Sequence, residues 1–562
     1  MKIKNIYKIM AALALPLMGV GVLTSCTESD SELVSFVEDN RLDTPNDTVY
    51  SLMGIVGKMQ VVADRTILLG ELRGDLTSLT EQATLDLQRI ANFEADASNP
   101  YNNARDYYAL IQNCNYFLAN ADLELTKRGY KVFEREYAVI KTYRAWAYLQ
   151  LALNYGSVPF FTEPILKEKD ADPSKYEHKT VQEIADYFIE DIKPYVDTEY
   201  PNYGSINGLA SRRFYIPVRV LLGDLCLWAE RYSEAAQYYH DFLTLQSAPR
   251  PVGYNSTEWL DREFEGIMDS YSSQFSSTSQ ILTIIPMETR EYDGVISRLN
   301  DVFNSTEKNN YYYQATHSPA YDELSRNQRY VGVFTDPVTL LPDTLLVPED
   351  KVYTTESQRG DLRQYSIYPP LRNVPSASSN YSTLRQTCYK YRSENSVAIY
   401  RLVYVYLRFA EALNRAGYPQ SAFAILKYGL WQDNIEKYIS EQEREKAGTL
   451  LTFSEYYFTR ENTPGLHSRG SGRTECDKLY VIPECETLDD SIQAVEDLIC
   501  DEMALETAAE GVRYYDLMRI AQHRNDPTFL ARKVAGRKGS DKFDDALYAK
   551  LSETKNWYLP LE

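Results

Sequence analysis

The chain has 562 residues, 44% hydrophobic and 25% charged, a composition that suits a globular protein of two to four domains. Its formal net charge of −21 argues against nucleic acid as a partner and against electrostatic binding to anionic lipid. No apolar run after residue 25 is long enough to cross a bilayer.

Residues 1–25 read as a signal peptide. Lys2, Lys4 and Lys8 precede Ile9 to Leu23, an uncharged apolar run broken by Pro16 and Gly19. The run ends in Leu23-Thr24-Ser25-Cys26, an apolar residue and two small ones before a Cys. This resembles the bacterial lipobox, which implies that Cys26 carries diacylglycerol as the mature N-terminus. A single acyl chain anchors weakly, at roughly 0.8 kcal/mol per buried CH₂, so the several chains of a lipoprotein are what make attachment permanent. Losing residues 1–25 removes three lysines and no acid, leaving −24. Residues 26–45 then form the lipidated Cys and an acidic tether, Thr27-Glu28-Ser29-Asp30-Ser31-Glu32. In the lipoproteins this segment resembles, such acids go with display on the cell surface.

Residues 46–250 read as a helical N-terminal part. The segment 104–125 places Tyr108, Ile111, Asn115 and Leu118 on one face, and 133–154 stops at Asn154-Tyr155-Gly156 ahead of Pro159. Residues 215–245 hold two amphipathic stretches joined near Glu230-Arg231-Tyr232. Residues 400–431 repeat that plan around Ala416-Gly417-Tyr418-Pro419, and a last helix covers about 491–522. A helix, a short turn carrying Tyr and a second Ala-bearing helix make the unit of tetratricopeptide-like repeats. The predicted fold is therefore mainly α, a tetratricopeptide-like helix-pair scaffold with long irregular insertions. Residues 251–390 are predicted to be a loop-rich insertion. Residues 391–562 are predicted to be a C-terminal helical part with a loop insertion at 440–490. Long loops in a compact protein tend to be functional.

Six cysteines besides Cys26 form no CxxC, and no His stands at metal-finger spacing from any of them. Cys114, Cys226 and Cys500 read as small core residues, while Cys476 and Cys485 could bridge a loop, since export permits it. The five histidines, His178, His240, His317, His467 and His523, form no HExxH, and GxSxG, Walker A and GxGxxG motifs are absent. The chain is read as a non-enzyme without a cofactor. Whether it holds a metal is left open.

Three blocks carry a family resemblance. Tyr143-Arg144-Ala145 runs to Tyr155-Gly156-Ser157-Val158-Pro159. The second is Arg401-Leu402-Val403-Tyr404-Val405-Tyr406-Leu407-Arg408-Phe409-Ala410-Glu411-Ala412-Leu413-Asn414. The third holds Glu502-Met503, Glu506, Glu510-Gly511, Arg513, Asp516-Leu517 and Arg519. In order, behind a lipobox, these resemble the SusD/RagB family of surface lipoproteins, with Met503 where Arg is usual and Tyr404 where an acid is usual. The resemblance implies a cell-surface lipoprotein on the outer membrane, held by lipid at Cys26. It would bind glycan, or alternatively oligopeptide, and act as lid to a SusC-like, TonB-dependent barrel.

Glu502, Glu506 and Glu510 share one helix face at i, i+4 and i+8. A retaining glycosidase needs two carboxyls about 5–5.5 Å apart across a cleft, and a surface hydrolase is the competing reading. The better one is an ionic network with Arg513 and Asp516, its cations drawn from Arg513 and Arg519 with Arg401 or Arg408. A sugar presents an apolar CH face and a hydroxyl rim, so a binder needs aromatic platforms beside polar groups. The resemblance implies a ligand face on the loops near residues 71–102 and on the insertion 251–390, and by position the expected ligand residues are Asp75, Tyr101, Asn102, Tyr292, Tyr311 and Tyr312.

Overall fold

The computed structural model describes residues 42–245, 280–305, 312–335 and 338–347. Beyond these it describes 360–561, except 362, 369–371, 376–381, 386–387, 392–395, 455–464, 468 and 471–475. Cys26 and Tyr311 lie outside the described residues. Ile165–Lys175 belongs to a separate small unit. Within it are two short 3-10 turns, Glu168–Asp170 and Pro173–Lys175, and an ion pair from Lys175 to Asp170 at 3.4 Å.

The main body opens with α1 (Asp47–Leu72), followed by α2 (Ala104–Asn120) and α3 (Glu134–Tyr155). Helix α2 stops short of residue 125 because Ala121 turns extended and a small hairpin, Thr126–Lys127 with Tyr130–Lys131, leads into α3. Next comes α4 (Val181–Ile192), opened by a capping box in which Thr180 and Glu183 satisfy each other's backbone N–H. Helices α5 (Val218–Trp228) and α6 (Tyr232–Thr244) form a pair. A strand, β1 (Ile281–Pro286), runs antiparallel to β2 (Ser396–Arg401), which leads without a loop into α7 (Leu402–Arg415). Helix α8 (Pro419–Lys427) pairs with α7. The chain then forms α9 (Leu488–Thr507), α10 (Arg513–His523) and α11 (Pro527–Ala535).

From α2 to α7 each helix packs on the next in this list, and α9 packs on both α7 and α8. This is the helix-pair scaffold the sequence predicts. Three joints share one turn. Ala229, Glu230 and Arg231 donate to Leu225, Leu227 and Cys226. Ala416, Gly417 and Tyr418 do the same to Ala412, Asn414 and Leu413, as do Arg524, Asn525 and Asp526 to Ile520, Gln522 and Ala521. The middle residue is left-handed each time, with φ of 58°, 94° and 50°. The geometry aligns Arg231, rather than Tyr232, with Tyr418.

The loop-rich stretch 251–390 also holds β1, which pairs with β2 and has all six residues buried. Cys485 is a free thiol.

The chain's end closes back on its beginning. Arg73 donates to the Trp557 carbonyl at 3.2 Å, Leu559 N to the Asn154 carbonyl at 2.8 Å, and Arg537 to the Leu72 carbonyl at 3.3 Å. No helix among the described residues is long and apolar enough to cross a membrane.

Candidate functional site

The acid face of α9 lies in the interior. Glu502 takes Arg363 Nη1 at 2.6 Å and an ion pair from Lys478 at 2.6 Å. Glu506 takes Arg363 Nη1 and Arg469 Nε, each at 3.1 Å, and Arg401 Nη2 at 3.4 Å. Glu510, just past the helix, takes Arg401 Nε at 2.7 Å and Nη2 at 2.6 Å, with Lys390 and the Tyr404 hydroxyl closing the shell. Burial opposes the charge on Glu506, but Arg469, Arg363 and Arg401 outweigh it and hold the carboxyl far below the usual range. A carboxyl so placed has no proton to give at neutral pH and faces no cleft, so the glycosidase geometry is not met here.

The cations differ from those expected. Of the four named from sequence, only Arg401 touches the acid face. Arg513 pairs with Asp75, Arg519 bridges Glu411 and Asp516, and Arg408 pairs with Asp224. Arg363, Arg469, Lys390 and Lys478, from four other segments of the chain, do the rest. His467 Nδ1 contacts the Lys427 carbonyl at 2.7 Å, which ties down its loop.

The predicted ligand residues divide into two groups. Asp75 is 5% exposed and takes Arg513 Nε at 2.6 Å and Nη2 at 2.9 Å. Burial raises its pKa and Arg513 more than reverses that, so the net direction is down. Asn102 is also buried, and its amide donates to the Asp96 and Pro560 carbonyls at 3.1 Å each. Both are structural clamps, a correction to their reading as ligand groups. The whole Glu71–Asp75 block is internal: Glu71 accepts from Thr77 and Gly511, and Arg73 sits 4.4 Å from the Tyr514 ring.

Tyr292 and Tyr312 are open, at 76% and 55% exposure, and Tyr101 is half-buried. Hydrogen bonds tie their three loops into one shelf beside α1. On α1, Asp64 accepts from Ser297 Oγ at 2.7 Å and Arg298 N at 2.6 Å. Burial raises the Asp64 pKa, and these two donors partly offset it. Asp64 and Asp86 are the charges felt by the Tyr101 hydroxyl, whose pKa is raised chiefly by burial. The Arg298 guanidinium holds Glu291 and Asp301, fixing the loop that carries Tyr292.

On the other side, Thr77–Leu79 pairs with Ala315–His317. Thr80 Oγ1 then donates to the Tyr313 carbonyl at 2.8 Å, and Thr84 N to Gln314 Oε1 at 3.0 Å. Asn99 Nδ2 donates to the Asp86 carbonyl at 3.0 Å and its Oδ1 accepts from Tyr101 N, joining the Tyr101 loop. The shelf thus offers two open aromatic rings and one half-open ring on loops that these hydrogen bonds hold in order. Sequence reasoning missed Asp64, Ser297 and Arg298. The available signal was the charged pair Asp64-Arg65 interrupting an otherwise apolar helix face. Among the described residues no group of three His, Cys, Asp or Glu side chains could hold a metal.

The SusD family's sequence profile matches residues 353–561. No curated protein matches the chain. Among solved structures, a SusD superfamily protein from Bacteroides vulgatus ATCC 8482 is similar at 14% identity and TM-score 0.54, over 92% of this chain and 97% of that one. A SusD-like carbohydrate binding protein from Bacteroides fragilis NCTC 9343 is similar at 13% identity and TM-score 0.54, over 88% of each chain. Surface glycan-binding protein A from Bacteroides fluxus is similar at 14% identity and TM-score 0.53, over 90% of this chain and 94% of that one. At such identities the likeness is one of fold. The likeness of fold runs over most of the chain, and the SusD family match covers its C-terminal part, residues 353–561.

Proposed function

We propose that this protein binds oligosaccharide on the shelf around Asp64 and delivers it to a SusC-like, TonB-dependent outer-membrane barrel, over which it acts as a lid. The observation that supports the reading is that the loops bearing Tyr101, Tyr292 and Tyr312 are linked to one another and to Asp64 of α1 by hydrogen bonds, with the Tyr292 and Tyr312 rings exposed. Open rings can take the CH face of a sugar while the carboxylate, amide and guanidinium groups take its hydroxyls. Two proteins of like fold are described as carbohydrate- or glycan-binding, which supports the ligand class. Cys26 would carry the lipid anchor and hold the protein on the outer face of the outer membrane. Tethering beside the barrel raises effective concentration, so a weak site suffices.

The test is binding of a glycan panel by the purified chain, with product analysis on the same samples. Binding without turnover, weakened about tenfold in Tyr312→Ala and in Tyr101→Ala, is the expected result. Unchanged binding in both variants removes the shelf from consideration. Binding of oligopeptides but not glycans changes the cargo. Product release abolished by Glu506→Gln or His467→Ala would establish a surface glycoside hydrolase instead.

A further inference from the structure

A second feature shares no residue with the shelf. A cavity of about 320 Å³ lies between the segment after α4, the 3-10 turn Ser211–Phe214, the start of α5, the end of α6 and the start of β1. That size falls at the lower end of small-ligand pockets, about 300–1,000 Å³. Its walls include Tyr200, Tyr215 and Phe242, and three arginines reach it: Arg212, Arg213 and Arg219. None of the residues lining it is acidic, which is unusual in a chain with net charge −21.

Arg219 is already committed, donating to the Val196 carbonyl at 2.7 Å and to Asp197 at 2.6 Å. Arg212 and Arg213 form no ion pair among the described residues, and Arg213 Nε is buried without a hydrogen-bond partner. A guanidinium partly withdrawn from water and left unpaired is costly, and an anion supplied from outside would offset that cost.

The turn carrying these two arginines is fixed before any ligand arrives. The Phe214 carbonyl accepts from Tyr143 Oη at 2.8 Å, and the Tyr215 carbonyl from Thr283 Oγ1 at 2.9 Å. Ser211 N donates to the Gly204 carbonyl, and Ser211 Oγ accepts from Tyr203 N, both at 2.9 Å. Such anchoring lowers the ordering cost of binding. The Tyr200 and Tyr215 rings stand 6.0 Å apart at 43°, an apolar wall beside the cations.

We propose that this cavity binds the carboxylate of an acidic sugar, a hexuronate, on Arg212 and Arg213, with the sugar ring against Tyr200. The planar guanidinium fork matches a carboxylate, and the volume leaves room for one ring. The inference stands whether or not the shelf binds glycan.

The experiment is calorimetric titration of the full chain with sodium galacturonate, with galactose, and with sodium sulfate, all at one ionic strength. Galacturonate is expected to bind and galactose not. Arg212→Gln, an exposed position whose loss leaves the fold intact, is expected to weaken galacturonate about tenfold. Arg213→Lys keeps the charge but not the fork and is expected to weaken it similarly, while Tyr312→Ala leaves it unchanged. The proposal is overturned by no galacturonate binding, by galactose binding that equals it and is weakened equally in Arg212→Gln, by sulfate binding more tightly than galacturonate, or by unaltered affinity in both arginine variants.

Discussion

Arg401, the last residue of β2, places Nε and Nη2 at 2.7 and 2.6 Å on Glu510, just beyond α9, so one side chain locks the strand pair to the C-terminal helices. Arg401→Met should therefore cost about 3–5 kcal/mol, because Glu510 stays buried with Lys390 as its remaining cation. Urea unfolding measures this, and a loss under 1 kcal/mol would mean that solvent reaches Glu510.

Acid stability should depend on Glu496. Its carboxylate takes Arg415 at 2.6 Å through both Nε and Nη2, and also Arg524. Burial raises its pKa, but His523, Arg415 and Arg524 together lower it to about 2 from an ordinary 4.5. A folded-state pKa below the unfolded one contributes stability that is complete above pH 4.5 and disappears as pH falls towards about 2. The shift corresponds to about 3 kcal/mol. Glu496→Gln should flatten that limb, with the stability difference from the parent shrinking between pH 6 and pH 3.

Two glycines touch backbone to backbone. A Cβ on Gly70 would lie 1.7 Å from the Gly511 carbonyl oxygen, and one on Gly511 would lie 2.4 Å from Ile67 Cα at a φ of +73°. Nothing flexible can yield there, so Gly70→Ala and Gly511→Ala should each cost more than about 4 kcal/mol. Thermal melts followed by circular dichroism would show a wild-type-like transition if this packing were looser.

The shared turn predicts opposite effects at equivalent places. Glu230 is exposed and left-handed, where Gly417 stands in the second copy. Glu230→Gly should gain up to about 1 kcal/mol, and Gly417→Ala should lose about 1 kcal/mol. The urea midpoints of the two variants should move in opposite directions.

Cys26→Ala should leave glycan affinity unchanged while shifting the protein out of the membrane fraction. If the variant remains with the outer membrane, docking to a barrel is sufficient or Cys26 is not the anchor.

The helix pairs were legible because apolar periodicity and the Gly-Tyr-Pro break are local signals. In the first pair Glu230 occupies the glycine position, so the two turns share a backbone conformation without sharing its sequence signal. Strand β1, Ile281 to Pro286, is an apolar run without alternation inside a Ser- and Tyr-rich stretch, so no period marked it. The acid face of α9 was readable from spacing, but its cations were not, since Arg363 lies 139 residues from Glu502. Asp75 follows Gly74 and looked like a turn, whereas Arg513, 438 residues away, takes it into the interior. Tyr292 and Tyr312 were found by composition and position, while Asp64 between their loops required the tertiary contacts.

The clamp from Asn102 to the Pro560 carbonyl spans 458 residues and orders the loop that carries Tyr101. Together with Arg73 on Trp557, it makes the final few residues part of the frame beneath the shelf. During synthesis, the Tyr101 loop can therefore reach its final form only after the segment holding Trp557 and Pro560 has been made, so the topology sets an order of assembly in which this loop comes late.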